Sequence, residues 1–208
     1  MKSFYSDAID LAKEKLGCLV PENVCRLCGA GFDREKNAYM IDWMTKKYEL
    51  SLNSKNDYSA ALEILFMHYL TSEGTKKPEG KLISYREVPG AAFYEPKFIQ
   101  RAVNPIVRCF GKNPGDLIKT GEFFGGEKSA EVSGSAYSVK INLFSHLPVT
   151  YVIWAGDEEM EAAGNILFDK TAPGWLCAED LAVAASLGAY ELIGEYKKSC
   201  QLSVSSCQ

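Results

Sequence analysis

Three cysteines near the N-terminus have a spacing that suits metal binding. Cys18, Cys25 and Cys28 form a C-x6-C-x2-C pattern, with Gly29 and Gly31 just after it. Two thiolates three residues apart can turn towards one ion while backbone N–H groups face the sulfurs, as in zinc and iron–sulfur sites. The pattern therefore predicts a zinc or iron–sulfur site if the fold supplies a fourth ligand. The alternative is three ordinary cysteines in a turn.

An acidic cluster is the second group of residues suited to chemistry. Asp157, Glu158 and Glu159 follow an apolar run that reads as a strand. On a turn from a strand into a helix, such carboxylates could converge on a hard cation or act as general acid and base. The alternative is a solvated helix start, because the helix macrodipole favours acids there. Asp169 ends the apolar run 166–168, where it is either a ligand or a turn-forming residue.

The chain contains two histidines, His68 and His146. His146 lies in a predicted turn, where a ring nitrogen could reach a metal, a corrinoid or a group that exchanges protons. It could also complete the ligand set of the cysteines, although a surface histidine is the default interpretation. His68 lies at the edge of the apolar stripe of a predicted helix and is interpreted as structural.

The charge pattern argues against nucleic acid and nucleotides as partners. The formal net charge is −4, and lysines and arginines alternate with acids instead of clustering. The segment 121–129 resembles a phosphate-binding loop, but Glu127 is inserted before Lys128. That insertion misplaces the lysine and repels phosphate, so no nucleotide site is predicted.

The sequence predicts a soluble cytoplasmic protein without a membrane partner. Acidic residues interrupt the N-terminal segment where a secretory signal needs an unbroken apolar run. No stretch approaches the roughly 20 apolar residues that a membrane span requires. We therefore expect the seven cysteines to be reduced thiols.

Hydrophobic periodicity predicts an α+β fold, with a mainly antiparallel sheet built from hairpins and helices packed on it. The length suits one domain over residues 1–208. A glycine-rich loop is predicted over 111–126, and Asn56-Asp57 is a predicted helix cap. The predicted elements are a helix ending near Gly17, a hairpin over 39–52, a helix over 61–69, a strand over 82–88, a helix over 93–110 whose second half Pro105 starts or kinks, a hairpin of 137–143 with 149–154, and a helix over 179–198.

Four segments resemble a family known only as a domain of unknown function, which occurs in anaerobic bacteria and archaea. Some of its members look like fusions in which this domain follows a four-cysteine iron–sulfur segment. That segment is similar to the one in corrinoid iron–sulfur proteins. The C-x6-C-x2-C spacing does not reproduce that segment. The resemblance implies the cytoplasm of an anaerobe and a setting near corrinoid or iron–sulfur cofactors, without implying a reaction. The segments that carry it are 84–90, 147–154, 156–159 and 166–169.

These observations favour a cofactor-binding or accessory protein of corrinoid or iron–sulfur metabolism, with a corrinoid or iron–sulfur protein as its partner. Its expected pocket lies between the sheet and the helices. Two alternatives stay open: a metal-dependent enzyme whose zinc or iron sits on the cysteines, and an interaction module with neither cofactor nor chemistry. The predicted pocket lining is Arg86, His146, Asp157, Glu158, Glu159 and Asp169.

Overall fold

A computed structural model of the chain describes residues 4–74, 76–132, 134 and 136–205. The helices are α1 (Phe4–Gly17), α2 (Pro21–Cys28), α3 (Ala60–Leu70), α4 (Glu95–Phe98), α5 (Asn104–Phe110), α6 (Gly115–Phe123) and α7 (Ala178–Ser205). The strands are β1 (Gly31–Asp33), β2 (Ala38–Trp43), β3 (Lys46–Ser51), β4 (Leu82–Ser84), β5 (Glu127–Lys128), β6 (Tyr137–Phe144), β7 (Leu147–Trp154) and β8 (Ala163–Asp169).

The described strands form two antiparallel sheets. The smaller sheet has the order β1-β2-β3, and the larger has the order β4-β8-β7-β6-β5. One hydrophobic cluster runs through both sheets and the helices around them. The predicted α+β class is therefore confirmed, whereas the assignment of all residues to one domain stays a prediction. Within the described residues, none of the helices combines the length and apolar character that a bilayer crossing requires.

The cysteine-rich segment is a helix, where the sequence predicted a turn. Helix α2 begins at Pro21, which suits a first helical turn because no backbone N–H is needed there. Its last residue is Cys28, and Gly29 caps it with a φ of 70°, the left-handed conformation that glycine adopts at little cost. Cys25 and Cys28 therefore lie one turn apart on one helix.

The small sheet confirms the predicted hairpin and adds a strand. Strands β2 and β3 pair from Ala38 with Ser51 to Trp43 with Lys46, and the three-residue β1 was too short to predict. The cap of α3 is Ser59, whose side chain accepts a hydrogen bond from the Leu62 N–H. The predicted cap was wrong, because Asn56 is buried and its amide donates to the Glu63 carboxylate at 2.7 Å.

The large sheet contains the predicted second hairpin, β6 with β7. Pro148 lies inside β7, although the sequence placed it before the strand. The predicted loop over 111–126 was wrong in its centre, where α6 forms. Gly121 lies inside that helix, and glycine is needed there because a Cβ would lie 2.3 Å from Val139 Cγ2. The glycine permits close packing and does not break the helix.

The two faces of the large sheet differ. Helix α7 covers one face, where Tyr151 donates its hydroxyl to the Ala185 carbonyl at 3.1 Å. Gly188 allows this approach, because a Cβ there would lie 2.2 Å from the Tyr151 hydroxyl. The opposite face, here called the distal face, carries the alternate residues of each strand. They include Ser138, Lys140, Asn142, Pro148, Thr150, Leu167 and Asp169.

Helices α4 and α5 are joined by a π-helical segment, Ile99–Val103. The Asn104 N–H bonds to the Ile99 carbonyl five residues back, which defines this wider turn. Pro105 follows, and its missing N–H removes an ordinary helical hydrogen bond at this point. The predicted helix over 93–110 therefore starts two residues later, at Glu95, and Pro105 lies in the first turn of its second half, as one of the two predicted alternatives had it. The π-turn before it was not predicted.

Candidate functional site

The three cysteines of the predicted metal site have separate surroundings. Cys18 is exposed beyond the end of α1, Cys25 is half-buried and Cys28 is buried. The Cys28 thiol donates to the carbonyl oxygens of Tyr69 and Leu70, at 3.5 and 3.8 Å. Burial raises the pKa of Cys28 to about 11, and burial also raises the pKa of Cys25. Both groups are therefore thiols, whereas a metal needs the thiolate.

No group of three or more Cys, His, Asp or Glu side chains suited to a metal ion occurs among residues 4–74, 76–132, 134 and 136–205. A zinc or iron–sulfur site on Cys18, Cys25 and Cys28 stays a prediction that would require rearrangement of α2. Cys18, Cys25, Cys28, Cys109 and Cys177 form no disulfide, and Cys207 lies outside the described residues.

His146 packs beside the cysteine helix. Its backbone N–H donates to the Tyr69 hydroxyl at 3.2 Å, and that hydroxyl donates to the Cys28 carbonyl at 3.1 Å. Its ring stacks on Trp175 with 4.9 Å between the ring centroids. This histidine therefore links α2, α3 and the β6–β7 turn through its backbone and its ring face.

The acidic cluster lies in the hairpin loop between β7 and β8, so the predicted strand-to-helix turn was wrong. Asp157 accepts hydrogen bonds from the N–H groups of Glu159 and Met160, at 2.9 and 2.8 Å. These bonds lower the pKa of Asp157 and stabilise a tight turn. Glu158 and Glu159 are exposed.

Asp169 is buried at the end of β8 and holds two loops in place. Its carboxylate accepts hydrogen bonds from the N–H groups of Glu79 and Gly80, and from the N–H and hydroxyl of Thr171, at 2.6 to 3.2 Å. Burial acts to raise the pKa of Asp169, but these bonds outweigh it and the pKa is lowered. The turn-forming interpretation of this residue fits these contacts.

Arg86 lies at a cleft of about 520 Å³ at the edge of the large sheet, here called the π-helix cleft. Its side chain is 81% exposed, and the guanidinium lies 4.0 Å from the Glu95 carboxylate. None of the other predicted lining residues belongs to this cleft. The cleft is lined by Ser84, Tyr85, Arg86, Glu95, Phe98, Ile99, Val103, Asn104, Val107, Ala162, Ala163, Gly164 and Asn165.

The walls of the π-helix cleft come from three elements with distinct roles. Phe98, Ile99, Val103 and Val107, on the α4–π–α5 rod, form an apolar wall. Tyr85 stacks on Phe98 at 4.1 Å and donates its hydroxyl to the Ala178 carbonyl, so its ring is fixed. The start of β8 and the chain after β4 form the other sides. The result is a mostly apolar cleft with a few polar groups, a composition typical of small-molecule sites.

The amides of Asn104 and Asn165 are the cleft residues that sequence reasoning missed. Asn165 accepts a hydrogen bond from the Ile166 N–H through Oδ1, which fixes the orientation of its amide. Asn104 stands at the end of the π-turn. The Asn104-Pro105 pair inside a helical pattern was the available signal, because proline disturbs a helix at that point.

A second histidine site also escaped the sequence. His68 Nδ1 lies 2.9 and 3.0 Å from the two oxygens of Asp180, and the Cys177 thiol donates to Asp180 at 3.2 Å. The hydrogen bond to Asp180 raises the pKa of His68, whereas burial raises the pKa of Cys177. The thiol and the imidazole both bond to the Asp180 carboxylate, so these contacts do not pair them as a nucleophile and its base.

The chain is an α+β protein with two antiparallel sheets and an open ligand-sized cleft at the edge of the larger one. It belongs to the family described as domain of unknown function (DUF3786), which matches residues 20–191. The match includes both sheets and every residue that lines the cleft. No curated protein and no solved structure matches the chain.

Proposed function

We propose that the protein is a cytoplasmic cofactor-binding or accessory protein of corrinoid or iron–sulfur metabolism in an anaerobe, and that the π-helix cleft is its binding site. The observation that carries this proposal is the cleft itself. Its volume of about 520 Å³ lies within the usual range of small-molecule sites. The π-turn supports the same assignment, because π-turns occur frequently at functional sites.

The chemistry of the cleft suits the rim of a corrinoid, which carries amide side chains around an apolar ring. The amides of Asn104 and Asn165 can exchange hydrogen bonds with such groups, and Arg86 can donate to carbonyl or phosphate oxygens. The apolar wall of the rod would face the ring edge. The corrinoid class itself comes from the family resemblance, and Ser84, Tyr85 and Arg86 of its segment 84–90 line this cleft.

The residue types that line the cleft limit how a cofactor could bind there. No cysteine or histidine occurs among its described lining residues, so a corrinoid would bind by its periphery and not through its cobalt. An iron–sulfur cluster would belong to a partner protein. The accessory role that follows is to hold or present a cofactor.

The test is a titration of anaerobically purified protein with hydroxocobalamin, followed by visible spectroscopy and equilibrium dialysis. We expect saturable binding that weakens about tenfold in Arg86→Gln, since one charge-assisted hydrogen bond contributes roughly that factor. Ala163→Phe should weaken binding further by filling the cleft. Arg101→Gln is the matched control, because Arg101 is an exposed arginine of the π-turn outside the lining.

A colourless protein that binds no hydroxocobalamin would overturn the proposal. Equal binding by the wild-type protein and Ala163→Phe would place the ligand elsewhere. Capture of a protein partner that is lost in Ala163→Phe, without any cofactor, would support the interaction-module alternative instead.

A further inference from the structure

A second pocket of about 420 Å³ lies on the distal face of the large sheet and shares no lining residue with the π-helix cleft. Strand pairing builds it, because Lys140 on β6 stands opposite both Glu127 on β5 and Thr150 on β7. Asn142 and Asp169 extend the same polar row. Four neighbouring strands, β5, β6, β7 and β8, therefore contribute polar side chains to the lining of one cavity.

Thr150 has an unsatisfied hydroxyl in this pocket. The residue is 1% exposed, and its Oγ1 has no hydrogen-bond partner among the described residues. A buried hydroxyl without a partner is destabilising, so its presence calls for an explanation such as an external partner. Its apolar isostere, valine, would fit a β-strand equally well.

The charged groups of the pocket are fixed around Lys140. Its ammonium lies 2.8 Å from Glu127 and 3.9 Å from Glu131, and the Ser129 hydroxyl donates to Glu131 at 2.7 Å. Glu79 adds a further carboxylate at the rim, where Lys81 lies 4.0 Å away. Carboxylates thus outnumber ammonium groups, which favours a cationic ligand over an anionic one.

We propose that this distal-face pocket binds a small molecule that carries a protonated amine beside a hydroxyl group, such as an amino sugar or an amino alcohol. The amine would lie against Glu127 and Glu131, and the ligand hydroxyl would pair with Thr150 Oγ1. Asn142 and Ser145 offer further hydrogen-bonding groups to neighbouring hydroxyls. Asp169 takes no part, because four donors already occupy its carboxylate.

The test uses glucosamine as the probe and glucose as the matched ligand without the amine, measured by calorimetry in an amine-free buffer. We expect glucosamine to bind and glucose to bind at least tenfold more weakly. Thr150→Val should weaken glucosamine binding about tenfold, whereas Thr150→Ser should retain it. Glu131→Gln should also weaken binding, with the exposed Glu122→Gln as its control.

The free protein provides a second readout. Thr150→Val should raise the melting temperature by about 2–4 °C, because a methyl group replaces an unsatisfied buried hydroxyl. A lower melting temperature in Thr150→Val would mean that the hydroxyl is already satisfied, and it would overturn the proposal. Absence of glucosamine binding, equal binding of glucose, or unchanged binding in Thr150→Val would overturn it as well.

Discussion

The cysteine helix α2 and the π-helix cleft differ in the opposite way to what their residue types suggest. The reactive residues around α2 are held by structural contacts, whereas the polar groups of the cleft stay accessible. Around α2, Cys28, Tyr69 and His146 are joined by hydrogen bonds and ring stacking. At the cleft, Arg86 is exposed and only loosely paired with Glu95. A reactive residue type is therefore a sign of function only when its polar atoms stay available to a ligand. Four measurements of stability test this contrast.

Tyr69→Ala should cause the largest loss of stability, about 3–5 kcal/mol in the free energy of unfolding, because it removes a buried aromatic ring. That ring stacks on Phe144 at a centroid distance of 4.1 Å. Tyr69→Phe should cost about 1–2 kcal/mol, since it leaves the Cys28 carbonyl and the His146 N–H without their partner. Urea unfolding measures both. A neutral Tyr69→Phe would remove the structural role assigned to this hydrogen-bond chain.

Cys28→Ala should cost about 1–2 kcal/mol, because it leaves a small cavity and two carbonyls without their weak thiol donor. Cys25→Ser should stay within about 0.5 kcal/mol, since Cys25 is only half-buried. Elemental analysis of the same samples decides the metal alternative. Stoichiometric zinc or iron in the wild-type protein that is lost in Cys25→Ser would reverse the contrast and establish the cysteine site.

His68 should stabilise the protein by a few tenths of a kcal/mol at low pH, as expected for a pair in which the histidine side chain is 43% exposed. The hydrogen bond to Asp180 raises its pKa in the folded state, with Glu179 acting in the same sense and Lys15 against it. The contribution is therefore complete below the unfolded pKa of about 6.5 and disappears as the pH rises through the folded pKa. The stability difference between wild type and His68→Gln should be larger at pH 5.5 than at pH 9. An equal difference at both values would argue against the ion pair.

Arg86→Gln should have an effect as small as that of Cys25→Ser, a change within about 0.5 kcal/mol in the free energy of unfolding. The Arg86 side chain is 81% exposed, and Glu95 is 4.0 Å away. Thermal unfolding of the variant measures this directly. A loss above 1 kcal/mol would make Arg86 a structural residue and would remove the distinction between the two regions.

The sequence predicted the elements whose signal is local. Helix α1, the two hairpins and α7 follow from periodicity, because apolar residues recur on one face over long stretches. Helix α6 was missed because its glycines were taken to mark a loop, and α2 because the cysteine-rich segment was predicted to be a turn. Gly121 in fact packs closely against Val139, and Pro21 stands in a first helical turn, where no backbone N–H is needed.

The candidate sites depended on non-local geometry and were therefore harder to predict. Arg86 was named from the sequence, but Asn104 and Asn165 join it only through the approach of α5 to β8. Thr150 and Lys140 become neighbours only through the register of β6 and β7. Nothing in the order of residues along the chain indicates which hydroxyl lacks a partner, since that depends on the whole surroundings.

The π-turn between α4 and α5 contains one residue more than an α-helical turn at the same place would need. A π-turn absorbs one additional amino acid while the helical segments on either side keep their faces, so Phe98 and Ile106 both remain buried. A deletion of one residue between 99 and 103 would therefore keep the apolar side of the rod inward, although Pro105 would still interrupt its helical hydrogen bonds. The same deletion inside α3 would rotate the following residues by about 100°. The wall of the cleft is thus the place where a change of length would disturb the core of this fold least.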